Sequence, residues 1–312
     1  MIFSGLIRFG CRIQKPKPIQ LKTVVNLQQT ANQAIPVYFN EQDFNEFILP
    51  HLWQGSRGPQ PKVSLYKLFH YILHILYTGI QWKMLPVEGG QNQQPEIHYT
   101  RVWNKWKQWV EHGSIANIFY QSVELLHTHG ALDLSLLHGD GTNCVAKFGG
   151  DTTGYSGHKH QKGNKIVTLQ DNHGNVLAPM TIATVNQSDM VQLPDALKDL
   201  KVTCQRCGIS IPPKTPLNLD AGFDSRKNRK IVWNTGLKPN IKENPRNRKK
   251  AKRGRKRFFD QELYAQRFKC ERTFAWHDKF RRIIFQHEWY RHLAMGFNLL
   301  AFALINFRHF HS

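Results

Sequence analysis

Acidic residues are scarce in this chain. Its 312 residues carry 22 Asp and Glu against 43 Lys and Arg, a formal charge of +21. Self-repulsion of that size opposes a compact fold unless a polyanion screens it. Nucleic acid is therefore the expected partner, with an anionic membrane surface second. Cysteine is scarce too: five residues without regular spacing exclude a disulfide framework and fit a reducing compartment. Long apolar runs are absent. The run 293–307 is shorter than the roughly 20 residues a spanning helix needs, and reads as a buried terminal helix. At the N-terminus Arg8 and Arg12 break the apolar residues, so no secretory leader is expected. No basic helix has a clear apolar face, which removes the membrane-surface reading. The expectation is a soluble cytoplasmic protein. Hydrophobic residues are not lacking: at 40% of the chain, with 12% aromatic, they can build a core in one large domain or two modest ones.

Three regions follow from the patterning. Residues 1–35, polar and basic with Pro16 and Pro18, read as a flexible tail. Residues 36–132 read as helical. Ser64 caps an apolar helix ending near Gly79, and Gln81 to Pro86 form a compact connection before a flexible Gly/Gln/Asn loop to Gln94. Thr100 opens a second helix ended by Gly113, and Ser114 caps a third closed by Gly130. Residues 133–312 change period. A strand through Leu134, Leu136 and Leu137 runs into a turn at His138–Gly141. Segments 165–169 and 176–182 flank the turn Asp171–Asn175 as a hairpin. A helix from Asp189, a strand Pro216–Asp220, a helix from Ser225, a short strand Leu237–Ile241 and one long helix Asp260–Phe285 complete the order.

Three carboxylates stand where chemistry would want them. Asp140 follows an apolar strand between two glycines, Asp220 ends another before Ala221-Gly222, and Glu271 lies within a basic helix. Carboxylates on strand ends and an adjacent helix can converge on a hard cation such as Mg²⁺ or Mn²⁺. Taken singly, an Asp after a strand is usually a turn residue or cap. Asp224, Asp171 and Asp189 read that way.

The segment Asn218-Leu219-Asp220-Ala221-Gly222-Phe223-Asp224-Ser225 resembles the Asp-x-Gly-Tyr/Phe-Asp-Ser block of bacterial insertion-sequence transposases with a DDE core. Glu271, 51 positions after Asp220, lies in Tyr264-x2-Arg267-x3-Glu271-Arg272-x-Phe274-Ala275-Trp276, which resembles that family's Tyr-x2-Arg-x3-Glu-x6-Lys signature and its continuation. Asp140-Gly141-Thr142 is similar to the block carrying the first Asp. Thr78-Gly79-Ile80-Gln81-Trp82-Lys83-Met84-Leu85-Pro86 resembles an N-terminal block of the family. Four blocks in order are specific where one is not. The resemblance implies an α/β, ribonuclease H-like catalytic core with a mixed sheet, behind an N-terminal all-helical region that binds DNA ends. It makes Asp140, Asp220 and Glu271 the catalytic triad and ligands of Mg²⁺ or Mn²⁺. The implied activity is cleavage at the ends of a mobile element and strand transfer into target DNA, by a homodimer on double-stranded DNA in the bacterial nucleoid. An inactive DNA-binding relic and a Mg²⁺-dependent structure-specific nuclease are the alternatives.

At about 100° per residue, Tyr264, Arg267 and Glu271 share one helix face. Asp278 stands where the signature has Lys, with Lys279 about 80° around and Arg282 back within about 20° of the Glu271 face. Arg282 is accordingly expected to supplement or replace that lysine in gripping DNA. Between Lys238 and Arg257 lie eleven Lys and Arg and one acid, Glu243, a net of +10. This loop, through Lys249, Lys250, Arg253 and Arg255, is expected to contact DNA backbone without choosing sequence. Trp103, Trp106 and Trp109, three apart on the second helix, read as core rather than a stacking platform. The basic residues between them could dock phosphates, as part of a reader of element ends. Cys204-x2-Cys207 lacks a second ligand pair, which counts against zinc, and His138, His158 and His160 lack ligand spacing.

Overall fold

The computed structural model describes residues 34–55, 62–89, 94–146, 149–151, 153–157, 160–179, 181–244 and 257–310. After α1 (Glu41–Asp43), the apolar α2 (Leu65–Thr78) starts where Ser64 accepts from the Lys67 N–H and ends at Gly79, whose φ of +71° lets its N–H cap Ile75. His98 rather than Thr100 caps α3 (Tyr99–Glu111), because its ring nitrogen accepts from the Thr100 N–H. Gly113 rather than Ser114 caps α4 (Ser114–Thr128). The Ser114 hydroxyl is drawn away to accept from the Trp53 N–H at 2.9 Å. Trp106 and Trp109 are fully buried, as their spacing predicts.

Among the described residues seven strands form one mixed sheet: β1 (Leu137–Ala146), β2 (Gly154–Ser156), β3 (Gln161–Gln170), β4 (Thr181–Thr184), β5 (Pro216–Leu219), β6 (Lys238–Ile241) and β7 (Phe285–Gln286). Their path is β2-β3-β1-β5-β6, with β4 also on β3 and β7 on β1. The β1–β3 and β3–β4 pairs are antiparallel, while β1–β5 and β5–β6 are parallel. Helices α5 (Asp189–Cys207) and α6 (Arg226–Asn234) precede β5 and β6 respectively.

Three sequence expectations are corrected. β1 does not turn at His138–Gly141 but continues to Ala146, because Asp140–Val145 pair with β3. Gly139 serves packing rather than a bend: a Cβ there would stand 2.6 Å from a Leu219 methyl and 2.7 Å from a Leu169 methyl. The hairpin is looser than expected. Around the turn an isolated Gln170–Val176 bridge and single bonds from Asp171 to Asn175 and from Leu177 to Leu169 take the place of a ladder, and regular pairing resumes at β4. The long helix 260–285 is three: α7 (Gln261–Ala265), α8 (Phe268–His277) and α9 (Arg281–Ile284). Tight bonds from Gln266 and Arg267 N–H to Leu263 and Tyr264 carbonyls end α7, and Phe280, buried in extended conformation, separates α8 from α9.

The last helix, α10 (Arg291–Phe307), is buried along almost its whole length. It packs on α3 and α4 as well as on α8 and α9: Phe297 stacks on Trp106 at 4.1 Å, and Gly296 admits Val110 and Trp106. One continuous apolar core therefore joins the helices to the sheet. Among the described residues no helix is long and apolar enough to cross a membrane.

His277 lies in this core, stacked on Phe302 at 4.5 Å and donating to the Asn298 side-chain oxygen at 3.0 Å. Burial pushes it down to about 4. An unfolded histidine takes its proton near 6.5, so the stability this site confers is complete above that pH and is lost as pH falls towards 4. The thermal midpoint should decline over this window in the native chain and decline less in His277→Gln. Equal declines would remove His277 from the effect.

Candidate active site

The site is built where β5 ends. Leu137 pairs with Leu217 and His138 with Asn218; two residues further on, Asp140 continues along β1 while Asp220 follows the last residue of β5. The Asp220 Oδ1 accepts from the Gly222 N–H at 2.8 Å, folding the chain into a short 3₁₀ turn. The Asp140 Oδ1 accepts from the Gly141 N–H at 2.8 Å, and its Oδ2 takes the Arg267 guanidinium at 2.7 Å. Arg267 lies in the break between α7 and α8, with its guanidinium over the Tyr264 ring at 5.5 Å. The Asp140 charge raises the Arg267 pKa against the opposing effect of burial.

Two predicted site residues, Asp140 and Arg267, are thus in contact, and Tyr264 lies beside them. Glu271 is exposed on α8, one turn beyond Arg267. Its neighbour Cys270 is buried and its thiol is pushed up, chiefly by burial and then by the Asp140 charge. Among the described residues no three His, Cys, Asp or Glu side chains stand together as a metal site. Lys279 is exposed beyond the end of α8. Lys249, Lys250, Arg253 and Arg255, with His158, lie outside the described residues.

Arg282 is a correction. With α8 ended before it, Arg282 does not return to the Glu271 face. It is buried, pairs with Glu288 through two hydrogen bonds, and donates to the Ile80 carbonyl at 3.0 Å. Its charge is spent inside the protein. Asp224 is a second correction: Ser225 caps α6, while the buried Asp224 carboxylate holds Arg229 at 2.8 Å, Arg257 at 3.1 Å and the Asn244 N–H at 3.1 Å. It ties Asn244 and Arg257, at either side of residues 245–256, to the Asp220 turn.

Beside the carboxylates on these strands lie His138, which the sequence placed at the surface and which is instead fully buried, and two asparagines the sequence reading passed over, Asn218 and Asn240; all three are paired in register across β1, β5 and β6. The period of two could have found the first two, since His138/Asp140 and Asn218/Asp220 each share a strand face. Burial pushes His138 down to about 4, so its imidazole is neutral.

Residues 124–306, more than half the chain, match the family described as "Transposase DDE domain". The chain belongs to this DDE transposase family. Among solved structures it is similar to "Mos1 transposase paired-end complex with left transposon end", at 10% identity and a TM-score of 0.25 over 59% of this chain and 60% of that one. It is also similar to "Crystal structure of the Mos1 mariner paired end complex with Mn", at 11% identity and a TM-score of 0.25 over 64% of each chain. The DDE transposase chain thus spans less than two thirds of these proteins. No curated protein matches it.

The buried Arg282 yields a test. Arg282→Ala strands the Glu288 carboxylate and should cost about 3–5 kcal/mol of stability. If it instead leaves the thermal midpoint unchanged and lowers the salt dependence of DNA binding, Arg282 is a phosphate contact after all.

Proposed function

We propose that this DDE transposase cleaves DNA at the ends of an insertion sequence and joins the freed 3′-hydroxyl to target DNA. The observation carrying this reading is Asp140 on β1 and Asp220 just past the end of the neighbouring parallel strand β5, with a cation from the Tyr264–Glu271 segment held against Asp140. The strand order, an antiparallel β1-β3-β4 group extended by parallel β5 and β6, supports a ribonuclease H-like core.

The donor set fits a divalent cation. Asp140 and Asp220 offer hard carboxylate oxygens, each steadied by a backbone N–H, and the Asp140 carboxylate already accepts a cation in Arg267. Mg²⁺ or Mn²⁺ would be held by Asp140 and Asp220, joined by Glu271. When bound, such ions activate the attacking oxygen and stabilise the leaving one. Arg267 and Tyr264 lie beside these carboxylates, where a cation and an aromatic ring can grip a phosphodiester. Hydrolysis at the element's end would free a 3′-hydroxyl, and the same carboxylates would serve its transfer. Joining two ends calls for at least two copies of the chain on DNA, in the bacterial nucleoid.

The basic stretch 238–257, whose Asn244 and Arg257 are tied to Asp224, would supply affinity for the DNA backbone. The α3 face bearing Arg101, Lys105 and Lys107 would dock element ends. Lys105 lies over Trp53 and Trp109, and Lys107 is 3.7 Å from Glu111.

Asp140→Asn, Asp220→Asn and Glu271→Gln should each slow Mg²⁺-dependent end cleavage by about 10³-fold or more while preserving end binding. Full activity in any one removes that residue from the mechanism. A wild-type chain that binds ends without cutting is a relic. One that cuts but cannot join a pre-nicked end is a nuclease.

A further inference from the structure

Besides the Arg267–Asp140 pair, a run of hydrogen bonds across the sheet ties down the chain that leads into the Glu271 helix. Asn240 on β6 clasps the backbone of Asp260, accepting from its N–H at 2.8 Å and donating to its carbonyl at 3.0 Å. The same amide nitrogen donates to the Asn218 oxygen at 2.7 Å. Asn218 on β5 in turn donates to the Leu263 carbonyl at 2.6 Å and reaches His138 Nδ1 at 3.5 Å. His138 on β1 continues the run through Nε2 to the Asn172 side-chain oxygen at 3.2 Å, and that oxygen also receives the Lys269 ammonium at 2.7 Å. With the proton on Nε2, every bond in the run points the same way, from β6 through β5 and β1 to the turn. The two amides and the neutral imidazole thereby satisfy one another in a setting where an unpaired polar group would cost about 1–3 kcal/mol.

Both ends of the run touch the same stretch of chain. Asp260 and Leu263 hold the start of α7, and Lys269 holds the first turn of α8. Between these ties lies Arg267, and Glu271 stands two residues past the last. Asp140 and Asp220 stand two residues past His138 and Asn218, on the same strand faces. We infer that the His138–Asn218–Asn240 ladder, completed by Asn172 and Lys269, is a positioning device that indexes Arg267 and Glu271 to Asp140 and Asp220. It specifies the catalytic reading of the site, on which it rests. Apolar packing could bury α7 and α8 in several registers. A directional chain of bonds selects one.

The test uses the full chain with Asn240→Ala, Lys269→Met and Lys269→Arg. Lys269 is the partly exposed end of the run, so Lys269→Met spares the sheet and keeps the experiment readable should Asn240→Ala fail to fold. Amide hydrogen exchange over residues 261–271 without DNA is expected to quicken about tenfold in Lys269→Met and in a folded Asn240→Ala, and to stay at the native level in Lys269→Arg. On saturating end DNA with Mg²⁺, the single-turnover cleavage rate should fall about 10- to 100-fold in Lys269→Met, with end affinity within about threefold of native and rescue by Lys269→Arg. Unchanged exchange in Lys269→Met overturns the ladder whether or not the native chain cuts DNA. So does a loss of affinity matching the loss of rate, which would make Lys269 a phosphate contact. A native chain that cuts nothing defeats the proposed function instead, and the exchange result still decides the ladder.

Discussion

The arrangement depends on a parallel pairing only two residue pairs long. Where β1 and β5 meet, Leu137 and His138 lie against Leu217 and Asn218, and beyond that point the two strands diverge in fate. β1 runs on along β3, while the chain after β5 folds into the Asp220 turn. The carboxylates sit at the divergence, where a strand end leaves room that a longer ladder would fill. Gly139 allows leucines from the flanking strands to close beneath this point. A methyl group there would have to push those leucines aside.

Charge is distributed to match. A chain with so few acids places several of them inside, against arginine. Asp140 holds Arg267, Asp224 holds Arg229 and Arg257, and Glu288 holds Arg282. These pairs differ in kind. The Arg282–Glu288 pair is almost wholly buried and belongs to the core, whereas Arg267 and Asp140 are side chains with about a fifth of their surface open. Pairs of the second kind can exchange one partner for a ligand at modest desolvation cost; pairs of the first kind cannot.

Local signals in the sequence were reliable wherever one turn or one strand decided the outcome. The Ser64 cap, the core position of Trp106 and Trp109, the β5 and β6 strands and the place of Asp220 at the end of β5 were all legible from pattern alone. Misreadings arose where distant contacts prevailed. Helical periodicity through residues 260–285 has no term for the pull of Asp140 on Arg267 or for the core site that Phe280 fills, so it projected one straight helix and put Arg282 on the wrong side. Ser114 and Asp224 lost their expected capping roles to Trp53 and to two arginines, partners far away in the chain or beyond the reach of a cap motif. The asparagines of β5 and β6 carried no recognisable motif. Their meaning appears only when three strands are laid side by side.

Gly79 and Arg282 join parts of the chain that the motifs treat separately. Gly79 lies so close to Arg281 that a Cβ there would touch its backbone, and Arg282 next to it donates to the Ile80 carbonyl and lies over Trp82. The string from Thr78 to Pro86 is therefore a socket for the segment that follows the Glu271 helix. A truncation that kept only the residues after 132 would leave this arginine without its carbonyl and bare the apolar flank of α10. Mechanical disturbance at the first helices would be felt ten residues past Glu271 without crossing the sheet.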